Sequence, residues 1–295
     1  MPDVTANGIQ IEYDTFGNSS FPALLLVAGN GAQMIFWEVE FCELLATTGY
    51  FVIRFDNRDA GLSTKFEEAG IPDFPAAIKA AMEGKPVESA YTLDDMADDA
   101  VGLINALGIE KAHICGVSMG GMIAQVISYR HPKHVLSLTS IMSTTGNPDL
   151  PHGKPDALAA VLAPAPEERG AYVEHNMNVW QMIWSPGFPF EEERARTFIE
   201  ESYERSYYPQ GTVRQNIALI ANGDRRPLLS SIKVPTLVIH GSDDPLIPVE
   251  GGKDTARAIP GASLLIINGM GHDMPKGAWS KIINAISHHT MQANV

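Results

Sequence analysis

Cysteine and positive charge are scarce in this sequence of 295 residues. Only two cysteines occur, Cys42 in a predicted helix and Cys115 in a predicted strand, so we expect buried free thiols rather than a disulfide. Lys and Arg total 21 against 35 Asp and Glu, which gives a formal net charge of −14. Because a chain of this charge repels polyanions, we expect neither nucleic acid nor an anionic membrane surface among its partners.

Long apolar runs are absent as well. The longest ones, such as residues 23–28, have the length of a strand and fall far short of a membrane span. Residues 1–10 contain no basic segment followed by an apolar core, which is the pattern of a secretory signal. Since the low cysteine content also fits a reducing compartment, these features predict a cytoplasmic protein.

The chain does contain a regular alternation of strand-like and helix-like segments. A β-hairpin is predicted around Asn7-Gly8, followed by apolar strands at 22–28, 51–55, 112–115, 135–142, 235–240 and 263–267. Helices are predicted at 37–47, 92–107, 119–130, 251–259 and 276–289. This order predicts an α/β fold, in which a mostly parallel central sheet has helices on both faces and a ligand site at the carboxyl ends of its strands.

The alternation stops between residues 146 and 225. This segment has helical patterns and no convincing strand, so we predict a helical cap inserted into a core formed by residues 1–145 and 226–295. Within it, Val173, Met177, Trp180 and Trp184 recur at spacings of four, three and four. Such a stripe either packs the cap or lines a pocket; for the second case Trp180 and Trp184 are the candidate substrate contacts.

A G-x-S-x-G motif spans residues 116–120, between a predicted strand and a predicted helix. In that context the motif indicates a nucleophile elbow, a sharp turn that exposes the hydroxyl of Ser118. Gly116 and Gly120 provide the room that this close-packed turn requires. The helix that follows begins under the hydroxyl, where its free N–H groups favour negative charge.

A serine hydroxyl needs a base, and the base needs an orienting acid. His272 and the adjacent pair Asp243 and Asp244 each follow a predicted strand, so both groups emerge at the same sheet edge as Ser118. We choose Asp244 as the acid and expect Asp243 to be solvated or to cap a turn. His240 ends a strand but lies too near the aspartate loop in sequence to serve as the base.

Two backbone N–H groups are expected to bind the oxyanion of the reaction intermediate. Met119 follows the nucleophile directly, and Asn30 lies between Gly29 and Gly31 in the loop after the first buried strand. Hydrolysis by such a site requires neither a metal nor an organic cofactor.

These motifs resemble those of capped α/β-hydrolases, and the resemblance covers the chain from about Ile9 to Ala285. The order Ser, Asp, His is the one expected for that family. The commoner family turn reads Asp-x-Arg-Gly-x-Gly-x-Ser, whereas this chain has Asp59 at the first glycine. That variant, with the sequences around His272 and Asp244, is similar to the aclacinomycin methylesterase branch, which removes a methyl ester from a polyketide.

The sequence therefore predicts a serine hydrolase that cleaves a small to medium, largely apolar carboxylic ester, with a methyl ester as one form. Lactonases, thioesterases, carbon-carbon bond hydrolases and cofactor-free perhydrolases use the same triad and are the alternatives within enzymes. A non-catalytic ligand receptor is the alternative outside them, although the intact triad argues against it. The expected partner is a small-molecule ester, and the oligomeric state is either monomer or homodimer.

Overall fold

The computed structural model describes residues 2–293, so residues 1, 294 and 295 of the predicted core lie outside the described residues. Its strands are Asp3–Ala6 (β1), Ile9–Phe16 (β2), Ala23–Val27 (β3), Phe51–Phe55 (β4), Ala112–Val117 (β5), Val135–Ile141 (β6), Thr236–Gly241 (β7) and Ser263–Ile267 (β8). Its helices are Val39–Thr47 (α1), Phe74–Met82 (α2), Leu93–Ala106 (α3), Met119–Arg130 (α4), Pro155–Leu162 (α5), Arg169–Ile183 (α6), Glu192–Arg205 (α7), Pro209–Asn222 (α8), Arg226–Leu229 (α9), Val249–Ala258 (α10) and Lys276–Ala293 (α11).

The eight strands form one sheet in the order β1-β2-β4-β3-β5-β6-β7-β8. The hairpin β1-β2 and the pair β2-β4 are antiparallel, and every pair from β3-β4 to β7-β8 is parallel. Strands β3 and β5 are buried along their whole length, which explains their continuous apolar sequence. The predicted, mostly parallel sheet is confirmed.

Two apolar layers cover the sheet. Helices α3 and α4 pack on one face and α1 and α11 on the other, each contributing buried side chains to a separate core cluster. The predicted start of α3 is visible as a capping box, in which the Thr92 hydroxyl accepts from Asp95 N–H and the Asp95 carboxylate accepts from Thr92 N–H. Cys42 and Cys115 are both buried and free.

Residues 146–225 contain helices α5 to α8 and no strand. Inside this segment Val173 and Met177 of α6 pack against Ala195 and Ile199 of α7, so half of the predicted stripe holds two of its helices together. The residues between β4 and α3 form α2 and one 3-10 turn. No helix within residues 2–293 is long and apolar enough to cross a membrane.

Candidate active site

The turn between β5 and α4 holds Ser118 in a strained conformation, with φ 53° and ψ −121°. This region favours glycine, so a serine there must be fixed by its surroundings. A side chain on Gly116 would overlap the Gly120 carbonyl, and one on Gly120 would overlap the carbonyl of Val27. These two close approaches are the physical reason for the glycines of the motif.

The structure brings Ser118, His272 and Asp244 together at the carboxyl ends of β5, β8 and β7. The His272 Nε2 atom lies 3.0 Å from Ser118 Oγ, and its Nδ1 atom lies 2.7 Å from Asp244 Oδ2. A carboxylate accepts hydrogen bonds, so Nδ1 carries the proton and Nε2 is free to accept the serine proton. This is the geometry that a base and its orienting acid require.

The neighbouring carboxylates, Asp243 and Asp244, differ in environment. Asp244 is buried, and its Oδ1 accepts the backbone N–H groups of Leu246 and Ile247 at 2.9 and 2.8 Å. Burial alone would raise the pKa of Asp244. The charge of His272 and the polar contacts from His240 and His272 outweigh burial and hold that pKa well below its usual range. Asp243 is exposed and accepts from the Gly269 backbone N–H at 3.2 Å.

The loop that carries His272 is bound to the end of α6 by backbone hydrogen bonds. The His272 N–H donates to the Ile183 carbonyl at 2.8 Å, and the Gly271 N–H donates to Ser185 Oγ at 2.8 Å. The Ser185 hydroxyl in turn donates to the buried Asp273 carboxylate. No periodic pattern or motif predicts this connection, which links His272 to the segment of residues 146–225.

The two backbone N–H groups predicted to bind the oxyanion belong to Asn30, in the loop after β3, and to Met119, the first residue of α4. Within residues 2–293, neither the Asn30 N–H nor the Met119 N–H donates to a protein acceptor. Gly29 packs against the serine, since a Cβ at residue 29 would lie 3.3 Å from Ser118 Cβ. Gln215 of α8 supports this loop, since its Oε1 accepts from Gly31 N–H at 2.7 Å. No motif in the sequence predicts this contact.

A cavity of about 690 Å³ opens beside Ser118 and His272. Its apolar lining comes mainly from the segment 71–74 before and at the start of α2 and from residues 146–225, and includes Ile71, Phe74, Leu162, Val179, Trp180 and Ile183. The structure differs from the prediction at Trp184, which does not line the cavity. That indole is buried against Phe190, with its N–H donated to the Phe188 carbonyl at 3.3 Å.

Comparisons with known proteins agree with this architecture. A family described as the α/β hydrolase fold matches residues 22–275. The chain is 26% identical to a rhodomycin D methylesterase of Streptomyces sp. (strain C5), over 99% of this chain and 98% of that protein. It is 25% identical to a 3-oxoadipate enol-lactonase of Acinetobacter baylyi, over 90% and 87% of the two chains.

Among solved structures, the meta-cleavage product hydrolase of Pseudomonas fluorescens IP01 superposes with a TM-score of 0.78. The two chains are 20% identical, and the superposition covers 99% of this chain and 98% of the other. At this identity the likeness concerns the fold alone. The methylesterase similarity agrees with the branch that the sequence motifs indicated, and the family match covers most of the chain. The protein therefore belongs to the α/β-hydrolase fold family.

Proposed function

We propose that this protein hydrolyses a small to medium, largely apolar carboxylic ester by acyl transfer to Ser118. The observation that carries the proposal is the continuous hydrogen-bond chain from Ser118 Oγ through His272 to Asp244, at 3.0 and 2.7 Å. The Ser118 end of these hydrogen bonds lies beside a cavity of about 690 Å³, which is within the usual size range of small-molecule sites.

In the first half of the proposed reaction, His272 Nε2 takes the Ser118 proton as Oγ attacks the ester carbonyl. The negative charge that develops on the carbonyl oxygen is bound by the N–H groups of Asn30 and Met119, which have no competing acceptor in the described part of the chain. Asp244 stays ionised and stabilises the imidazolium. Collapse of the intermediate transfers the proton from His272 to the departing alcohol.

In the second half, His272 takes a proton from water, which attacks the acyl-serine carbonyl. The same two N–H groups bind the second oxyanion, and His272 returns the proton to Ser118 Oγ as the acid leaves. Every proton transfer in the proposed cycle uses one nitrogen of His272, Nε2. The other ring nitrogen, Nδ1, keeps its proton because it donates to Asp244 at 2.7 Å.

A methyl ester is the first substrate to test. The similarity to rhodomycin D methylesterases supports it, and methanol is a small leaving group that leaves most of the cavity to the acyl part. The aromatic and aliphatic lining favours an apolar acid over a charged one. We therefore expect kcat/KM to rise as the acyl group of a methyl ester grows to fill the cavity.

The test compares wild type, Ser118→Ala and Ser19→Ala on methyl esters of aromatic acids of increasing size. Ser19 is an exposed serine outside the site and serves as the matched control. We expect hydrolysis by wild type and Ser19→Ala and loss of turnover in Ser118→Ala. Equal rates in all three proteins would remove Ser118 as the nucleophile.

Lactone hydrolysis is the second candidate, because the chain is also similar to an enol-lactonase over 90% of its length. In a lactone the alcohol remains attached to the acyl group, so the whole product must fit the cavity until water has attacked. Methyl esters and lactones of matched size, assayed side by side, separate the two activities. A higher kcat/KM for the lactone would reverse our assignment.

A further inference from the structure

Asp244 has more hydrogen-bonding capacity than the triad uses. An ionised carboxylate offers about four acceptor positions. Two on Oδ1 accept the N–H groups of Leu246 and Ile247, and one on Oδ2 accepts from His272 Nδ1. The remaining position faces a second histidine, since His240 Nε2 lies 3.5 Å from Asp244 Oδ2.

The protonation of His240 follows from its contacts. Its Nε2 atom lies 2.8 Å from the carbonyl oxygen of Ile247. A carbonyl oxygen only accepts, so Nε2 carries a hydrogen, which it donates to Ile247. The Ile247 N–H in turn donates to Asp244 Oδ1 at 2.8 Å, so His240 is linked to the carboxylate through Ile247 as well as by the 3.5 Å contact with Oδ2.

The other ring nitrogen has no partner. His240 is fully buried, and its Nδ1 atom has no hydrogen-bond partner within residues 2–293. Helix α10 covers that side so closely that a Cβ on Gly252 would lie 2.5 Å from Nδ1. The Nε2–H is therefore the one ring group through which His240 can hold its neighbours.

We propose that His240 is a positioning residue of the catalytic acid: its single N–H holds the Ile247 carbonyl beside Asp244, and so keeps the carboxylate in line with His272. This inference rests on the proposed function, because it assigns His240 a part in activating Ser118. The ring interacts electrostatically with Asp244, in the loop after β7, and with Glu250 of α10. His240 lies four residues before Asp244, which is the sequence signal for this role.

Losing this N–H has two expected consequences. The carboxylate gains freedom to rotate, which misaligns His272 and slows attack by Ser118. The Asp244–His272 pair also takes up a proton more easily, because the positive end of the His240 N–H no longer opposes it. The acid limb of the pH profile therefore moves to higher pH.

The test measures labelling of Ser118 by a fluorophosphonate from pH 4 to pH 9, which reports an activated serine whatever the natural substrate is. His240→Leu and His240→Asn remove the donor, and His240→Gln keeps an N–H at a similar reach. His288→Gln, at an exposed histidine, is the matched control. Thermal unfolding identifies the variants that remain folded, and the shorter Asn variant serves if Leu does not fold.

We expect labelling to slow about tenfold in the Leu and Asn variants, with the acid limb raised by about half a pH unit. The Gln variant and the His288→Gln control should follow wild type. If labelling slows equally in the Leu, Asn and Gln variants and the acid limb of the pH profile does not move, His240 has only a structural role and the inference is wrong. The inference is also wrong if none of the three variants differs from wild type. If wild type itself is not labelled, the proposed function fails and this inference falls with it.

Discussion

Arg214 forms a two-point ion pair with Asp59, with 2.7 Å from Nε to Oδ2 and 3.0 Å from Nη2 to Oδ1. Both side chains are buried. Burial opposes ionisation of Asp59, but the hydrogen bonds from Arg214, the Phe66 N–H and the Tyr91 hydroxyl outweigh it and lower the pKa of Asp59. The pair joins the turn after β4 to helix α8, and so connects the sheet to residues 146–225.

This contact gives a reason for the unusual residue in the turn. Asp59 has a φ of 65°, in the region that favours glycine, and glycine is what the commoner family turn has there. A glycine at 59 would relieve the backbone but would leave the Arg214 guanidinium buried without its carboxylate. Asp59 therefore supplies the negative charge that the buried Arg214 requires, at some cost in backbone conformation.

Removing the Asp59 carboxylate should lower the stability of the folded protein. We expect Asp59→Gly to lower the free energy of unfolding by about 3 to 5 kcal/mol, because it leaves an unpaired buried charge. Adding Arg214→Leu should recover part of that loss. Urea unfolding measures both, and the control Arg226→Ala, at a partly exposed pair with Asp224, should cost less than about 1 kcal/mol. Equal effects at the two pairs would contradict the assignment.

The proposed oxyanion donors can be tested at Asn30 without changing Ser118. Asn30→Pro removes the backbone N–H, and we expect kcat to fall by roughly 100-fold to 1000-fold. Asn30→Ala removes the side chain but keeps the N–H, so its kcat should stay within a few-fold of wild type. Steady-state kinetics on an ester that wild type hydrolyses gives both values. Similar losses in the two variants would indicate a role for the side chain instead.

The two adjacent aspartates allow a matched test of the acid. Asp244→Asn should lower kcat by about 10,000-fold, because the amide no longer fixes the tautomer of His272 that leaves Nε2 free. Asp243→Asn changes an exposed neighbour and keeps an oxygen acceptor for the Gly269 N–H. We expect it to retain most of the activity. A large loss in Asp243→Asn with a small one in Asp244→Asn would reverse the choice.

The parts of the site that could be predicted from sequence depend on short-range rules. The elbow needs glycines two residues before and after Ser118, because a side chain at either would overlap nearby backbone. Parallel strands end at one edge of a sheet, so polar residues after β7 and β8 could be expected to meet Ser118. Both rules operate within a few residues of one strand, which is why a single sequence carries them.

The parts that could not be predicted depend on how residues 146–225 dock. Gln215 supports the loop of Asn30 from a position 184 residues away from its partner Gly31, and no periodic pattern encodes that pairing. Trp180 and Trp184 lie on one predicted stripe, yet only Trp180 reaches the cavity. The helical period predicts which residues share one face of a helix. It does not predict which of those residues the neighbouring segments cover.

Acid should destabilise the fold through His113 of β5. This histidine is buried, its Nδ1 bonds to Ser137 Oγ at 2.8 Å, and its Nε2 has no partner within residues 2–293. Burial and the nearby His289 lower the pKa of His113 from 6.5 to about 4. Its contribution to stability is therefore complete above pH 6.5 and is lost as the unfolded chain takes up a proton below that value.

The size of this effect can be isolated by substitution. Between pH 7 and pH 4 we expect the wild type to lose about 3 kcal/mol more unfolding free energy than His113→Asn, measured by urea unfolding. His288→Asn, at an exposed position, should follow the wild type across the same range. Parallel curves for wild type and His113→Asn would rule out His113 as the acid-sensitive group.

Asp273 should produce the opposite pH dependence. Its carboxyl is buried beside the base, and burial raises the pKa of Asp273 from 3.8 to about 7, despite the Ser185 hydrogen bond and the charges of Arg194 and His272. In the unfolded chain this group loses its proton near pH 4, so the folded state becomes less stable as pH rises from 4 to 7. Asp273→Asn removes the titration and keeps an oxygen acceptor for Ser185. From pH 5 to pH 8 the free energy of unfolding of the variant, measured by urea unfolding, should therefore rise by about 2 to 3 kcal/mol relative to that of wild type. If the difference between the two proteins does not change with pH, Asp273 ionises without cost in the folded protein.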